Sequence, residues 1–369
     1  MNNKNCTLCN NPLTQKNDSK EHIIPNSIGG FKTIKGFICR DCNSQTGDEW
    51  DNELAKQFNL FNNWFDIKKD RGAVPPENIQ SIDGELLKLY PDGKIQHRHP
   101  KIDIDENEDG SFKISMMTRD IKEANQKIKE LKRKFPNLDV EEAISKVKSS
   151  KIDSPIIEIN AQFGQNYAWK SIIKIALAFT KSLNIDTTKC YTALNALKNE
   201  TSCDTIYYES DLLLNRPSDK VFHLIHIQGN PETNQLIGYV ELYGFHRTLM
   251  ILNDAYTGDP ISKTYAFDPS TSEELNINVE ISFTNSEIIQ FIKKPYNHTE
   301  LQNALGKVIE IYQKRSQQKE LDITIQEAIE YAFNNCGAKE GEILQEHHTK
   351  KITELVLEKI QPFIIKHIR

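Results

Sequence analysis

Two pairs of cysteines near the N-terminus constrain the fold of this chain more than any other feature of its sequence. Cys6 and Cys9 have two residues between them, and Cys39 and Cys42 repeat that spacing. Two such pairs, in a chain without an export signal, are typical of a zinc site with four thiolate ligands. We therefore expect one structural Zn²⁺ ion to draw the two ends of this segment together.

The residues between and after the cysteine pairs carry the chemistry. The string Glu-His-Ile-Ile-Pro occupies residues 21–25, and Asn43 follows the last cysteine directly. Residues 21–24 are predicted to form a short strand that ends at the proline, and Phe37-Ile38 the strand that returns. The zinc ion would then hold His22 near Asn43.

A helix is predicted to follow the second cysteine pair. Thr46 with Glu49 three residues later has the spacing of a capping box, a hydroxyl cap followed by an acidic residue. Beyond it, apolar residues recur at steps of three and four and predict one buried helix face. These residues are Trp50, Leu54, Phe58, Phe61 and Phe65.

A histidine, a carboxylate and an amide at one place suit the hydrolysis of a phosphodiester. A neutral imidazole such as that of His22 can take a proton from water near pH 7. The oxygens of Glu21 and Asn43 are hard ligands that suit Mg²⁺ or Mn²⁺. The capped helix start near Thr46 would add favourable partial charge for a phosphate.

This segment resembles the HNH endonucleases, the zinc-bound branch of the ββα-metal nucleases. The resemblance rests on both cysteine pairs, on residues 21–25, and on Asn43 followed by Gly47. It implies that His22 is the general base and that Glu21 and Asn43 bind the catalytic divalent ion. Glu21 stands where Asp is more usual, and Asn43 where His is more usual. Another oxygen could come from an acidic residue nearby, Asp41, Asp48 or Asp51.

The rest of the chain predicts an α+β fold with a helical C-terminal region. Residues 167–183 have the apolar periodicity of a buried helix, and period-two runs at 221–227, 236–243, 248–252 and 277–283 predict an antiparallel sheet packed on it. We expect four parts. They are an HNH nuclease domain at 1–68, a β-rich and basic helical connection at 69–154, an α+β domain at 155–295 and a helical region at 296–369.

Composition limits the partners of the chain. The formal net charge is −6, so binding to a polyanion must use local patches. No stretch of sequence is long and apolar enough for a membrane span, and the N-terminus has no apolar signal core. We therefore expect a cytoplasmic protein with reduced cysteines. Three single cysteines are predicted to be small buried hydrophobes, Cys190, Cys203 and Cys336.

The sequence therefore predicts a metal-dependent endonuclease that acts on DNA, with RNA a less favoured substrate. The alternative is a non-catalytic module, binding nucleic acid or protein, on a zinc-stabilised HNH-like scaffold. The remainder loosely resembles the companion regions of bacterial HNH proteins, some of them phage-defence effectors, which suggests a similar role. This remainder could also bind an activating protein or ligand, or form an oligomer.

Overall fold

The structure is a computed structural model of the chain. It describes residues 5–70, 72–91, 93–108, 110–148, 156–158, 163–164, 166–199, 205–207, 210–292, 298–339 and 341–367. The chain divides into two compact units, Met1–Leu301 and Gln302–Arg369. The fold is α+β with antiparallel sheets, as the sequence predicted. The division into four parts stays a prediction. No helix in these residues is long and apolar enough to cross a membrane.

A two-stranded ribbon opens the N-terminal segment. Strand β1 (Glu21–His22) pairs antiparallel with β2 (Thr33–Ile34), and His22 lies opposite Thr33. The predicted position of the returning strand, Phe37-Ile38, is wrong. These two residues are fully buried, and the carbonyl of Phe37 accepts a hydrogen bond from the backbone of Thr7. Their apolar character serves the packing of the cysteine segment rather than a strand.

Helical turns follow without a break. Helix α1 (Arg40–Thr46) leads into a π-helical turn (Gly47–Asp51), then α2 (Asn52–Gln57) and α3 (Asn59–Trp64). The predicted capping box is wrong, because Cys39 caps the helix and the Thr46 side chain makes no cap hydrogen bond. A phosphate contact at a helix start near Thr46 therefore has no basis. The buried stripe is confirmed at four of its five positions, Leu54, Phe58, Phe61 and Phe65, whereas Trp50 is half-buried.

Small sheets and a helix pair form the middle of the chain. One sheet has the strand order β5-β4-β3-β8, and β6 pairs with β7 in a separate hairpin. Two helices lie on either side of Pro136, in the part that the sequence predicted to be basic and helical. The elements are β3 (Glu77–Ser81), β4 (Leu86–Leu89), β5 (Ile95–His97), β6 (Lys101–Glu106), β7 (Phe112–Met117), α4 (Ile121–Lys134), α5 (Val140–Ser145) and β8 (Ile157–Glu158).

A six-stranded antiparallel sheet forms the centre of the first unit, with the strand order β14-β13-β10-β11-β12-β9. One face carries an apolar cluster that includes Leu224, Tyr239 and Leu249, and Ile288 and Phe291 of α8 pack there. The elements of this block are α6 (Ala168–Ser182), α7 (Tyr191–Asn199), β9 (Thr205–Tyr207), β10 (His223–Asn230), β11 (Gln235–Leu242), β12 (His246–Asn253), β13 (Ile261–Asp268), β14 (Glu273–Glu274) and α8 (Asn285–Ile292).

One strand of this sheet differs from the prediction. Residues 277–283 form no named strand, and within them only Val279 makes an isolated bridge, to Leu213. Ile277 and Ile281 are nevertheless buried, in the apolar cluster. The strand beside β10 is β13, whose first half is exposed or half-buried and so lacks a continuous apolar run. Apolar spacing predicted burial correctly here and pairing wrongly.

Helix α6 lies between the N-terminal segment and the other face of the sheet. Ala176 packs over Gly238 of β11, where an added Cβ would come within 3.3 Å of the alanine side chain. Phe179 contacts the ring of Tyr265 on β13, with 6.0 Å between ring centroids. On its other side α6 contacts α2 and the π-helical turn. The predicted helix at 167–183 is therefore confirmed, together with its buried face.

The second unit contains two long helices. Helix α9 (His298–Asn335) is continuous, and α10 (Glu346–His367) follows it. Lys366 pairs with Glu320 at 3.0 Å, and the Lys359 ammonium lies 4.1 Å from the ring centroid of Tyr331. The two helices therefore run side by side in opposite directions, which confirms the helical C-terminal region.

Candidate active site

The four cysteines of the N-terminal segment come together. The Sγ atoms of Cys6, Cys9, Cys39 and Cys42 all lie within 4.8 Å of one another. The Sγ atoms of Cys9 and Cys39 are 3.8 Å apart. Four sulfur atoms at these distances could hold a metal ion, as the sequence predicted.

The surroundings of the cysteines fit a bound cation. The backbone N–H of Cys39 donates to Sγ of Cys6 at 3.3 Å, and that of Cys42 donates to Sγ of Cys39 at 3.5 Å. Such donors stabilise thiolates and orient them. Burial and the neighbouring sulfurs raise the pKa of the Cys42 thiol. A set of four thiolates therefore needs a positive ion among them, and a divalent ion that favours sulfur fits this site.

An open pocket of about 480 Å³ lies beside the ribbon and α1. It is polar, and it brings together the three residues that the sequence singled out for chemistry, Glu21, His22 and Asn43. Asp48 also lines it, whereas Asp41 is not among its lining residues. The full lining is residues 20–22, 25–27, 43, 47–48 and 51–52.

His22 lies at the end of β1 with 28% of its side chain exposed, so its ring can meet a ligand in the pocket. Its Nε2 atom is 3.4 Å from Oδ2 of Asp70. Burial lowers the pKa of His22, and the Asp70 carboxylate works in the opposite direction. The backbone N–H of Asp70 is in turn held by Oδ1 of Asn26 at 2.8 Å. The imidazole is therefore neutral near pH 7, with one nitrogen turned to a carboxylate.

Asn43 projects from the first turn of α1. Its Nδ2 donates to Oγ of Ser19 at 2.5 Å, and Ser19 is itself buried. This contact fixes the amide plane, because its nitrogen is committed to the serine. The amide oxygen is then the atom of Asn43 that remains to serve as a ligand.

Glu21 is buried and has a partner from a distant part of the chain. Its Oε1 accepts a hydrogen bond from Nζ of Lys174 on α6 at 2.8 Å. Burial raises the pKa of Glu21, and the lysine works in the opposite direction. For Lys174, burial opposes the charge, but Asp51 and Glu21 more than offset it and raise its pKa. Lys174 is therefore a charged ammonium next to two carboxylates.

Asp51 is bound to α6 through both of its oxygens. Oδ2 accepts from Nζ of Lys174 at 2.5 Å, and Oδ1 accepts from the hydroxyl of Ser171 at 2.6 Å. Since both oxygens are engaged, Asp51 joins the N-terminal segment to the helix. Of the three acids that the sequence offered as a further oxygen donor, Asp48 is the one that lines the pocket without such a bond to α6.

The rim of the pocket at residues 25–27 depends on a tight turn and on the sheet. Gly30 is required there, because an added Cβ would lie 1.8 Å from the carbonyl oxygen of Ile24. The carbonyl of Ser27 accepts from Nδ2 of Asn62 at 3.2 Å. Asn62 in turn accepts from the hydroxyl of Tyr243, at the turn between β11 and β12, at 2.7 Å. The pocket rim at residues 25–27 is thus held in place, through Asn62, by the turn between β11 and β12.

Sequence reasoning missed four residues that contact the predicted site residues, namely Ser19, Asp70, Ser171 and Lys174. One signal was available for Lys174. It sits in the middle of an apolar helix, directly after Ile172 and Ile173, where an unpartnered lysine would be costly. The sequence alone does not reveal its partners, because Glu21 and Asp51 precede it by more than a hundred residues.

Comparison with known families agrees with the site. Residues 6–59 match the family model described as HNH endonuclease. The match includes both cysteine pairs, Glu21, His22 and Asn43, and it ends within the helical turns. The chain therefore carries an HNH-type segment at its N-terminus, which supports a nuclease-type function with nucleic acid as substrate. Searches of curated proteins and of solved structures gave no match.

Proposed function

We propose that this protein is a metal-dependent endonuclease that hydrolyses phosphodiester bonds of DNA. One observation carries the proposal. His22, Glu21 and Asn43 line the same open pocket, next to four cysteines that could hold a metal ion. A base and two oxygen ligands at the wall of an accessible pocket suit the attack of water on a phosphate.

His22 acts as the general base in this proposal. Its ring is neutral at physiological pH because burial lowers its pKa. The Nε2 hydrogen points to the carboxylate of Asp70, so Nδ1 is left to take a proton from water. Asp70 orients the ring and favours this tautomer.

Glu21 and Asn43 would hold a Mg²⁺ or Mn²⁺ ion, and Asp48 offers a further oxygen at the pocket wall. Such an ion supplies positive charge for the scissile phosphate and the leaving oxygen. The chain positions both ligands before substrate arrives, since Lys174 holds Glu21 and Ser19 holds Asn43. The expected products carry 5′-phosphate and 3′-hydroxyl ends, as in the nucleases that the segment resembles.

The four cysteines have a structural role in the proposal and bind Zn²⁺. The ion would hold Cys6 and Cys9 against the start of α1, which Cys39 caps. Since Asn43 lies one turn after that cap, the cluster sets the position of a proposed metal ligand. Zinc therefore contributes to folding rather than to the reaction itself.

The biological role is proposed by analogy. The loose resemblance of the remainder to companion regions of phage-defence effectors suggests that the nuclease acts against foreign DNA. The six-stranded sheet adjoins the nuclease segment and offers a place where an activating protein or ligand could act. The competing function is a non-catalytic module that binds nucleic acid or protein on the same scaffold.

A plasmid-nicking assay tests the proposal. Zinc-loaded protein with Mg²⁺ or Mn²⁺ should nick supercoiled DNA, and a chelator should stop the reaction. His22→Ala should lower the rate by about a hundredfold or more, since it removes the general base. His99→Ala is the matched control, because His99 is exposed and lies outside the pocket. Parallel reactions on RNA test the choice of substrate. An inert wild-type protein with both ions, or an equally fast His22→Ala variant, would contradict the proposal.

A further inference from the structure

The ammonium group of Lys174 makes three hydrogen bonds, all of them to the N-terminal segment. Its ammonium donates to Glu21 at 2.8 Å, to Asp51 at 2.5 Å and to the hydroxyl of Thr46 at 3.3 Å. A lysine ammonium has three hydrogens, so these bonds satisfy it completely. The side chain is only 2% exposed, and it therefore does not reach a substrate in the pocket.

The charges around Lys174 are divided unequally. Asp51 is held twice by α6, through Lys174 and Ser171, so it compensates the charge of the lysine most directly. Glu21 gives one oxygen to the ammonium and lines the pocket. The three charged groups sum to one negative charge, and both carboxylates lie at the pocket wall, where Glu21 has one oxygen bonded to Lys174 and Asp51 has both oxygens bonded to α6. This arrangement leaves the site attractive to a divalent ion.

The geometry points to Lys174 as a positioning residue of the nuclease site. It fixes the carboxylate of Glu21 at the pocket wall, so the site for the divalent ion is complete only when α6 is in place. This inference rests on the proposed function, because it assigns Lys174 to the same metal site. Residue 174 lies far outside the segment that matches the HNH family, residues 6–59.

The physical reason lies in the burial of Glu21. A buried carboxylate without a partner is unstable, and its side chain would turn away or lose its charge. Groups that orient a metal ligand without touching the metal typically change metal affinity or activity by about ten- to a hundredfold when they are removed. Lys174 is such a group for Glu21.

The test uses full-length, zinc-loaded protein and measures Mn²⁺ binding by electron paramagnetic resonance. Lys174→Met alone would leave the buried carboxylate of Glu21 and the half-buried one of Asp51 uncompensated. The main variant is therefore Lys174→Met with Asp51→Asn, which removes one charge of each sign, and Asp51→Asn alone is measured beside it because Asp51 also lines the pocket. Lys170→Met is the matched control, since Lys170 is a buried lysine one turn earlier on α6 that lies over the rings of Trp50 and Tyr167. Zinc content and circular dichroism report on folding.

The double variant should bind Mn²⁺ about ten- to a hundredfold more weakly than wild type, while Lys170→Met should bind it equally well. Glu21→Gln should weaken binding as well, and adding it to the double variant should cause little further loss, because Lys174 acts through Glu21. Equal or tighter Mn²⁺ binding by the folded double variant would overturn the inference. An equal loss in Lys170→Met would also overturn it.

Lys174→Arg provides a second route if the double variant does not hold zinc. The guanidinium keeps the charge, but it is too large to repeat the three contacts, so weaker Mn²⁺ binding supports the inference and unchanged binding overturns it. Nicking by wild-type protein is scored separately. Mn²⁺ binding that depends on Lys174 in a protein that cleaves nothing would refute the proposed function and leave this inference standing. Cleavage by the wild-type protein, with Mn²⁺ binding unaltered in the variants, would support the proposed function and refute this inference.

Discussion

The imidazole of His223 in β10 donates from Nε2 to the carbonyl oxygen of Ile28, 2.8 Å away, at the turn that bounds the pocket. Its other nitrogen, Nδ1, accepts from the backbone N–H of Tyr243 at 3.1 Å. Together the two bonds require a neutral ring with the hydrogen on Nε2, because a charged imidazolium would keep the bond to Ile28 but could not accept from Tyr243. His223 thus joins the six-stranded sheet to the N-terminal segment, and its protonation would leave the buried N–H of Tyr243 without this acceptor.

Stability should therefore fall in mild acid. Burial lowers the pKa of His223, His226 and His246 to about 4, from 6.5, and for His223 the hydrogen bond to Ile28 and the nearby Asp268 only partly oppose this. The unfolded chain binds these protons first, so the stabilisation is complete above about pH 6.5 and is lost as the pH falls toward 4. One pH unit below 6.5, each histidine should cost about 1.4 kcal/mol. Urea unfolding between pH 7.5 and 5 measures the slope.

The control for this prediction is His99→Ala, which should leave the slope unchanged because His99 is exposed. His223→Phe should lower the change of the free energy of unfolding with pH by the contribution of one histidine. This holds whatever the substitution costs in absolute stability. A free energy of unfolding that stays constant from pH 7.5 to 5 would contradict the buried, neutral state of these rings.

Cys39→Ser should abolish zinc binding and destabilise the N-terminal segment. The serine hydroxyl is a poor zinc ligand, and structural zinc contributes directly to folding energy. Cys336→Ser is the control, since Cys336 is also buried but lies in the second unit. Metal analysis and thermal unfolding check both variants. A Cys39→Ser protein of unchanged stability, purified without metal, would rule out the four-thiolate site.

Asp70→Ala should slow cleavage by no more than about fivefold. The Asp70 carboxylate is 70% exposed and 3.4 Å from His22, and exposed ion pairs contribute about 1 kcal/mol or less. The effect should be much smaller than that of His22→Ala, which removes the base itself. Single-turnover rates on a defined duplex compare the two. A loss as large as that of His22→Ala would mean that the carboxylate takes part in proton transfer.

Gly30→Ala should destabilise the protein by about 3 kcal/mol or more. The added Cβ would overlap the carbonyl of Ile24, and backbone on both sides would have to move. Gly47→Ala is the matched control, because an added Cβ there meets nothing within 4 Å and the backbone is helical. It should change stability by about 1 kcal/mol or less, in the favourable direction. Chemical denaturation of both variants gives the comparison.

Much of the N-terminal segment could be predicted because its signals are local. The cysteine spacing predicted that the four cysteines come together, and apolar residues at helical steps predicted the burial of Leu54, Phe58 and Phe61. The same reasoning failed at Thr46, where a capping pattern occurs inside a helix that Cys39 had already begun. A local pattern is ambiguous when a neighbouring motif starts the same element earlier.

The partners of the site residues could not be predicted, because they come from distant parts of the chain. Lys174 meets Glu21 only because α6 packs between the sheet and the N-terminal segment. Tyr243 reaches Asn62 from a hairpin turn, where its φ is +54°. Nothing in the sequence predicts a positive φ at this tyrosine. Spacing along the chain identifies ligand types, whereas their orientation depends on packing across the whole unit.

The unequal burial of the four cysteines has a chemical consequence. Cys9 is exposed, whereas Cys6 and Cys39 are buried. Oxidants and alkylating reagents therefore meet the cluster at Cys9 first. Damage there would remove one of the four sulfur atoms that could bind a metal ion, while the two buried sulfurs stayed intact. The protein would then fail under oxidative stress by loosening at its surface loop, before the start of α1 is disturbed.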